Sequence, residues 1–309
     1  MPILSIRHVT RYRYRNPVAL GEHRMMFRPH ESHDQQLLSA DLAICPTPSK
    51  INYLRDIFGN SVGVATFVGR TTDLVFDSYV RLRHTPHPGV HELRDGFELP
   101  GGAERFAYDE PESTDLSASA ALAYADPDRI VSDWARRFIR RKGATNAANL
   151  LVEMTQAIRG DFTYRKRLEM GAQSPLQTLE LNSGSCRDYA VLMIEAARGL
   201  GLAARFVSGY VYSPAPTRQV RGRVGGGHTH AWVSVYLPDS GWVDFDPTNG
   251  IVGTTDLIRV AVARDPRQAT PLHGTYAGLS TDYLGMEVSV DVQAEDETAG
   301  RPARLQAVG

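Results

Sequence analysis

Gly184-Ser185-Cys186-Arg187-Asp188-Tyr189-Ala190, running on into Val191-Leu192-Met193-Ile194-Glu195-Ala196-Ala197, decides the reading of this chain. Tyr189, Val191, Leu192, Met193, Ile194, Ala196 and Ala197 leave hardly any polar face, which predicts a deeply buried helix. Gly199 and Gly201 mark its end. Gly184 and Ser185 introduce it, so Cys186 stands at the helix start. Unpaired N–H groups and the helix macrodipole favour a thiolate there.

Two segments downstream complete a parts list. His230 lies in Gly227-His228-Thr229-His230-Ala231-Trp232, and Asp246 in Trp242-Val243-Asp244-Phe245-Asp246-Pro247-Thr248. Both alternate as strands, with Pro238-Asp239-Ser240-Gly241 as the turn between them. His228, His230 and Trp232 share one face, while Ala231, Val233 and Val235 face the core. Pairing across the turn brings a carboxylate to an imidazole. Asp246, at the strand end before Pro247, is the better orienter, and Asp244 has the same parity but less constraint. A cysteine, a histidine and a carboxylate are the elements of an activated thiol nucleophile.

Outward from this centre, the first third reads as β structure. Leu4, Ile6, Tyr12 and Tyr14 oppose Arg7, Arg11, Arg13 and Arg15, the alternation of a half-buried strand. Further short strands follow at 38–44, 62–68 and 74–82, which suggests a small antiparallel sandwich. Residues from about 85 to 125 are rich in Pro, Gly and acid and lack periodicity. Asp126-Pro127 predicts a helix through Arg141. A second helix is expected from an N-cap at Thr145 to Ile158, and a late strand at 286–292. The domain reading is therefore a β-rich N-terminal domain (1–100), a linker or loop (101–125), a catalytic domain (126–295) and a flexible tail (296–309).

Composition narrows the function classes. The 309 residues are 42% hydrophobic and 22% charged with a formal net charge of −1, an ordinary globular balance without the basic stripe of a nucleic-acid binder. No run approaches the roughly 20 apolar residues that span a bilayer. The start carries arginines where a signal peptide would be apolar, so a cytoplasmic location is the expectation. Two cysteines exclude a disulfide scaffold. Cys45 ends a strand before proline and reads as structural. His228, His230, Cys186 and Asp246 could supply zinc ligands, but paired cysteines and a His-Glu-x-x-His helix are absent, so no metal or other cofactor is expected.

These motifs, with Leu200-Gly201-Leu202-Ala203-Ala204-Arg205-Phe206-Val207-Ser208-Gly209-Tyr210 between them, resemble the transglutaminase-like superfamily, and more narrowly its bacterial and archaeal members, held to be cysteine peptidases or amidases. The core resemblance covers about 146–250, and the first hundred residues resemble the β-rich region that accompanies that core. The resemblance implies an α+β fold: a papain-like core, with a cysteine-bearing helix packed on an antiparallel sheet, beside an N-terminal β-sandwich-like domain. It also implies Cys186 as nucleophile, His230 as base and Asp246 as third member. Arg187 stands where animal transglutaminases carry tryptophan, and their calcium segments and C-terminal barrels have no counterpart.

The expected activity is acyl transfer from a peptide or side-chain amide through a thioester, by hydrolysis or by aminolysis. The Cys186 backbone N–H is one oxyanion donor. Tyr164, Gln177, His228 and Trp232 are further candidates for oxyanion or substrate contact. A protein or peptide substrate is the expected partner. The alternative is a non-catalytic module that keeps the fold for binding. The natural substrate and the oligomeric state stay open.

Overall fold

β1 (Ile3–Met25) shows why the first third forms a sheet. Leu4, Ile6, His8 and Thr10 are buried on one parity while Arg7 and Arg11 are exposed, so alternate side chains face core and solvent. The strand runs through Pro17 because its ladders are interrupted there. The register shifts between Arg13 and Val18 against β5 and between Arg13 and Tyr14 against β16. A proline that would break a ladder is tolerated at such an irregularity. The computed structural model describes residues 2–86, 96–167, 169–212 and 224–295. The tail expected over 296–309 and residues 213–223 lie outside them.

β2 (Gln35–Cys45), β3 (Lys50–Arg55), β4 (Ser61–Thr66) and β5 (Arg70–His84) complete the N-terminal strands. The next segment holds β6 (Glu98–Leu99) and α1 (Glu112–Ala120). A helix thus lies inside the segment expected to be a linker. Its apolar face is slight, with Leu116 and Ser119 its buried residues, so periodicity gives little sign of it. Then come α2 (Ile130–Arg136), β7 (Thr145–Asn146), α3 (Ala147–Asp161), β8 (Thr163–Tyr164), α4 (Pro175–Leu181), β9 (Ser183–Gly184) and α5 (Cys186–Gly199). β10 (Ala204–Val211), β11 (His230–Leu237), β12 (Gly241–Asp246), β13 (Ile251–Val252) and β14 (Leu257–Ala263) follow. β15 (Leu272–Ala277) and β16 (Tyr283–Ala294) end the described chain.

The helix expected over 126–141 is shorter than its apolar spacing suggests. Asp126 accepts hydrogen bonds from the backbone of Val131 and Ser132, so the first turn begins at Ile130. The following helix is capped by Asn146, one residue after the expected Thr145.

Two sheets organise the molecule. Seven strands, β1 among them, form the first, with β2-β5-β1-β4-β3 as the main path and β15 and β16 also paired to β1. The N-terminal part of β1 lies between β5 and β16, and its C-terminal part between β4 and β15. Tyr14, Val18, Phe76, Ala65 and Leu272 from both parts share one apolar cluster, as in a small sandwich. Residues 272–294 therefore do not belong to the core sheet, although the sequence reading grouped them with the catalytic domain. They return to pair with β1, where Leu4 faces Ala294.

The second sheet runs β13-β12-β11-β10-β14. α5 packs against it through Tyr189, Leu192 and Met193, which join Ala231, Val233, Val235 and Phe245 in the largest core cluster. β14 is an edge strand, and an open edge is a liability. Side-chain amides occupy it. Asn60 donates to the Val262 carbonyl at 2.7 Å and accepts from the Val262 N–H at 2.9 Å, while Gln35 does the same for Arg259 at 2.6 and 3.0 Å. The N-terminal unit thus closes the core sheet with two mimics of a β ladder. An apolar seam of Leu4, Ile6, Tyr210 and Val260 joins the units beside them. Within this seam Tyr210 Oη and His8 Nδ1 lie 2.8 Å apart, and burial lowers the His8 pKa to about 4.

At the far end of α5, Arg198 is buried against Glu195 at 2.7 Å and donates to the carbonyls of Ser119, Ala204 and Arg264. Glu195 accepts from the backbone of Ala123 and Tyr124. This ion pair with every arm occupied ties the 119–124 segment to the cysteine helix. Among the described residues no helix is long and apolar enough to cross a membrane.

Candidate active site

Cys186 is the first residue of α5, and the turn before it is held by one carboxylate. Asp188 is fully buried; its Oδ2 accepts from Ser185 N and Ser185 Oγ, both at 2.8 Å. Its Oδ1 accepts from Arg167 and from the backbone of Gln173, both at 2.7 Å. One side chain therefore caps the helix and pins the preceding loop to it. Gly184 has to be glycine here, because a Cβ would lie 2.8 Å from the Cβ of Asp188. The function of Asp188 in the loop depends on a residue 21 positions away, which no pattern local to the helix start shows.

The short parallel pair β8–β9 sets Tyr164 against Gly184, two residues before the cysteine. The Tyr164 hydroxyl lies close to the Cys186 thiol. Burial, and then the charge and hydrogen bond of Cys186, hold the phenol pKa well above its ordinary value.

His230 opens β11 and Asp246 closes β12, so the two strands deliver them to the same end of the sheet. His230 Nε2 and Asp246 Oδ2 are 2.9 Å apart, with both side chains buried. Asp246 is fully satisfied. Its Oδ1 accepts from the backbone of Thr248 at 2.9 Å and Asn249 at 3.3 Å, and its Oδ2 also accepts from Asn249 Nδ2 at 2.8 Å. Burial works against both charges. On the ring it is outweighed by the charge and hydrogen bond of Asp246 and by Cys186, which raise the imidazole pKa to about 10. On the carboxylate it is outweighed by His230, Asn249 and Thr248, which hold the Asp246 pKa below its ordinary value. Both directions describe an imidazolium–carboxylate pair. Nδ1, the other ring nitrogen, is buried without an aligned hydrogen bond, while Cys186 is near enough to the imidazole to stabilise its charge.

The backbone of 224–225 roofs the pair. Asn249 and Val224 exchange two hydrogen bonds, at 2.8 and 3.0 Å. Gly225, at φ +106°, lies so close that a Cβ would meet His230 Nδ1 at 2.7 Å. Asn249 thus serves both roof and carboxylate, a part the sequence reading missed. The signal was present as Pro247-Thr248-Asn249, which reads as an ordinary turn until the strands are folded.

Other candidates stand elsewhere. Gln177 caps α4: its Oε1 accepts from Ser174 N at 3.1 Å, so its side chain is engaged at another helix. Trp232 has no exposed surface and packs with Val207, Leu257 and Val262, so it backs His230 and offers nothing to a substrate. His228 is exposed, accepting from Lys166 Nζ at 2.9 Å. Asp244, beside Asp246 in sequence, is paired with Arg259 at 3.1 Å instead. Cys45 is exposed at the end of β2. Among the described residues no three His, Cys, Asp or Glu side chains are grouped to hold a metal ion.

Comparison with known proteins gives the family of this fold. Residues 132–247 match the transglutaminase-like superfamily and residues 4–83 the bacterial transglutaminase-like N-terminal region. An uncharacterised protein of Mycobacterium tuberculosis is 31% identical over 305 residues, covering 93% of this chain and 91% of its own. One from Mycobacterium leprae is 26% identical over 289 residues, covering 93% and 98%. A solved structure from Cytophaga hutchinsonii, described as a candidate cysteine protease, shares the fold with a TM-score of 0.67 at 17% identity, over 99% of this chain and 96% of that one. With the core, the N-terminal region and a relative matched nearly end to end, the chain belongs to the transglutaminase-like superfamily.

Proposed function

We propose that this protein is a cysteine-dependent acyl-transfer enzyme acting on peptide or side-chain amides. The observation that carries the reading is the buried 2.9 Å pair of His230 Nε2 with Asp246 Oδ2, its imidazole charge further stabilised by Cys186. Family membership supports a thiol enzyme. The thiolate of Cys186 attacks the amide carbon, so an S–C bond forms as the carbonyl π electrons move to oxygen. When the tetrahedral intermediate collapses, the C–N bond breaks and His230 passes its proton to the departing amine. Asp246 fixes the ring tautomer and stabilises the cation while staying ionised itself. The thioester then yields to water, giving a free acid, or to a primary amine, giving a new amide.

The developing oxyanion needs donors fixed in advance. The N–H of Cys186, at the first turn of α5, is one. The Tyr164 hydroxyl, already beside the sulfur, is the second in this reading. Tyr164→Phe is therefore expected to lower amide turnover by about 10²-fold or more while leaving the melting temperature nearly unchanged, checked by steady-state rates and a thermal melt. An unchanged rate would remove Tyr164 from the chemistry.

The reading is tested by acyl-enzyme trapping. With glutaminyl and asparaginyl peptides and activated amides, intact mass should gain the acyl group on Cys186, and hydroxylamine should release it. Adding a primary amine separates the two outcomes: amine-bearing product marks a transferase, and free acid alone marks a hydrolase. If no substrate acylates Cys186 and its alkylation by iodoacetamide is no faster than that of a small thiol, the protein is a binding module.

A further inference from the structure

A cavity opens between the N-terminal unit and the core sheet, away from the thiol centre. Its volume is about 380 Å³, and Cys186, His230 and Asp246 do not line it. That size is in the range of small-molecule sites. Its floor is one row of the sheet: Arg205 on β10 pairs with Ser234 on β11, and Ser234 with Asp244 on β12. The partners of one row share a face, and Val233, Val235 and Val243 on the opposite parity fill the main core.

The charges in this cavity are separated. At the deep end Arg259 lies between two buried carboxylates, donating to Asp244 Oδ2 at 3.1 Å and to Asp34. One cation and two anions leave that end with an excess negative charge. Asp244 is only 1% exposed, and its Oδ1 has no hydrogen-bond partner. A buried carboxylate oxygen left unsatisfied is costly, so a donor is wanted there. At the mouth, Arg205 is half-buried and stacks on Trp242, its guanidinium carbon 3.7 Å from the ring centroid. Among the described residues it forms no ion pair; its one side-chain hydrogen bond is a long one, 3.4 Å to Ser119. A guanidinium held flat on an aromatic ring keeps an edge free for a carboxylate.

We propose that this cavity binds a small zwitterion of amino-acid to dipeptide size, its ammonium at Asp244 Oδ1 and its carboxylate at Arg205. Neither charge alone matches a cavity whose two ends differ in sign. The platform residue Trp242 and Asp244 are two residues apart on β12, about 7 Å of strand, which is the reach of an extended dipeptide backbone. The site is distinct from the thiol centre but shares its strands, since β11 carries both Ser234 and His230 and β12 both Asp244 and Asp246.

The experiment is calorimetric titration of the full chain with glycylglycine, beside acetate and ethylamine as single-charge controls, with Trp fluorescence as a second readout at Trp242. Glycylglycine is expected to bind saturably and to bind at least about tenfold more tightly than either control. Arg205→Met and Asp244→Asn should each weaken it by about tenfold or more, and Cys186→Ala should leave it unchanged. Should Asp244→Asn fail to fold, Arg205→Met and the ethylamine control decide between them. Absence of saturable binding at tens of millimolar would leave a hydrated crevice and overturn the proposal. So would acetate binding as tightly as glycylglycine, binding indifferent to Arg205→Met, or loss of binding in Cys186→Ala. Because the readout is binding, failure of the thiol mechanism would not register in it.

Discussion

Cys186→Ala is expected to abolish acyl-enzyme formation, and His230→Ala to slow amide turnover by about 10²–10⁴-fold. The two variants fail for different reasons. Without Cys186 there is no nucleophile. Without His230 the amine leaves as a poor, unprotonated group and the sulfur loses the cation beside it. Iodoacetamide separates these effects, because alkylation needs the thiolate but no proton donor. In wild type, alkylation at neutral pH should outpace that of a small thiol; in His230→Ala it should fall to about that level.

The pH dependence follows from the ring. Although burial opposes its charge, Asp246 and Cys186 raise its pKa to about 10, so it is protonated at neutral pH and able to donate. Turnover should decline as pH rises through about 10, and this limb should be absent from the residual activity of His230→Ala. Equal alkylation rates for wild type and His230→Ala at pH 7 would exclude the proposed pairing.

Asp246→Ala should be the more damaging substitution for stability. It removes a carboxylate with no exposed surface and strands a buried imidazolium, the Thr248 and Asn249 N–H groups and the Asn249 amide. Breaking a buried pair by deleting one partner costs about 3–5 kcal/mol. Asp246→Asn keeps acceptors for the backbone and should cost less, while losing most of the turnover because the ring is no longer held charged.

The linkage fixes the window in which the difference is seen. The Asp246 pKa lies below its ordinary 3.8, so its contribution is present above that value and is lost as pH falls. The His230 pKa lies above its ordinary 6.5, so its contribution is complete below 6.5 and fades as pH rises through about 10. Urea titrations of wild type and Asp246→Ala should therefore differ most between about pH 4 and 6.5 and converge at the alkaline end. A difference below about 1 kcal/mol at pH 6 would mean that the pair is not the anchor described here.

Much of the site's local form is legible in short stretches. Ser185 with Asp188 three residues on states a helix start, and the apolar run behind it states burial on every side. Alternation in Ala231-Val233-Val235 assigns the core face of β11, because parity is a property of neighbouring residues. Gln177 illustrates the limit. Ser174 stands three residues before it, a capping pattern visible in sequence, yet only the folded loop shows that this cap holds the amide oxygen at α4. Trp232 shares the parity of His230, but parity cannot tell a cleft from an interior; Val207 and Leu257, from strands on other parts of the chain, bury it.

By itself, then, the sequence determined the nucleophile's helix, the two strands that follow and the family to which they belong, since each rests on spacing within a few residues. Tertiary structure alone decided that 283–294 return to β1, that Asn60 and Gln35 finish the edge of β14, that Asn249 closes the roof over His230 and that Arg205, Asp244 and Asp34 border one cavity. These contacts join residues as much as 290 positions apart, as Leu4 with Ala294 does. Their pairing energy depends on which surfaces are left uncovered once the local elements have formed, and no local pattern records that.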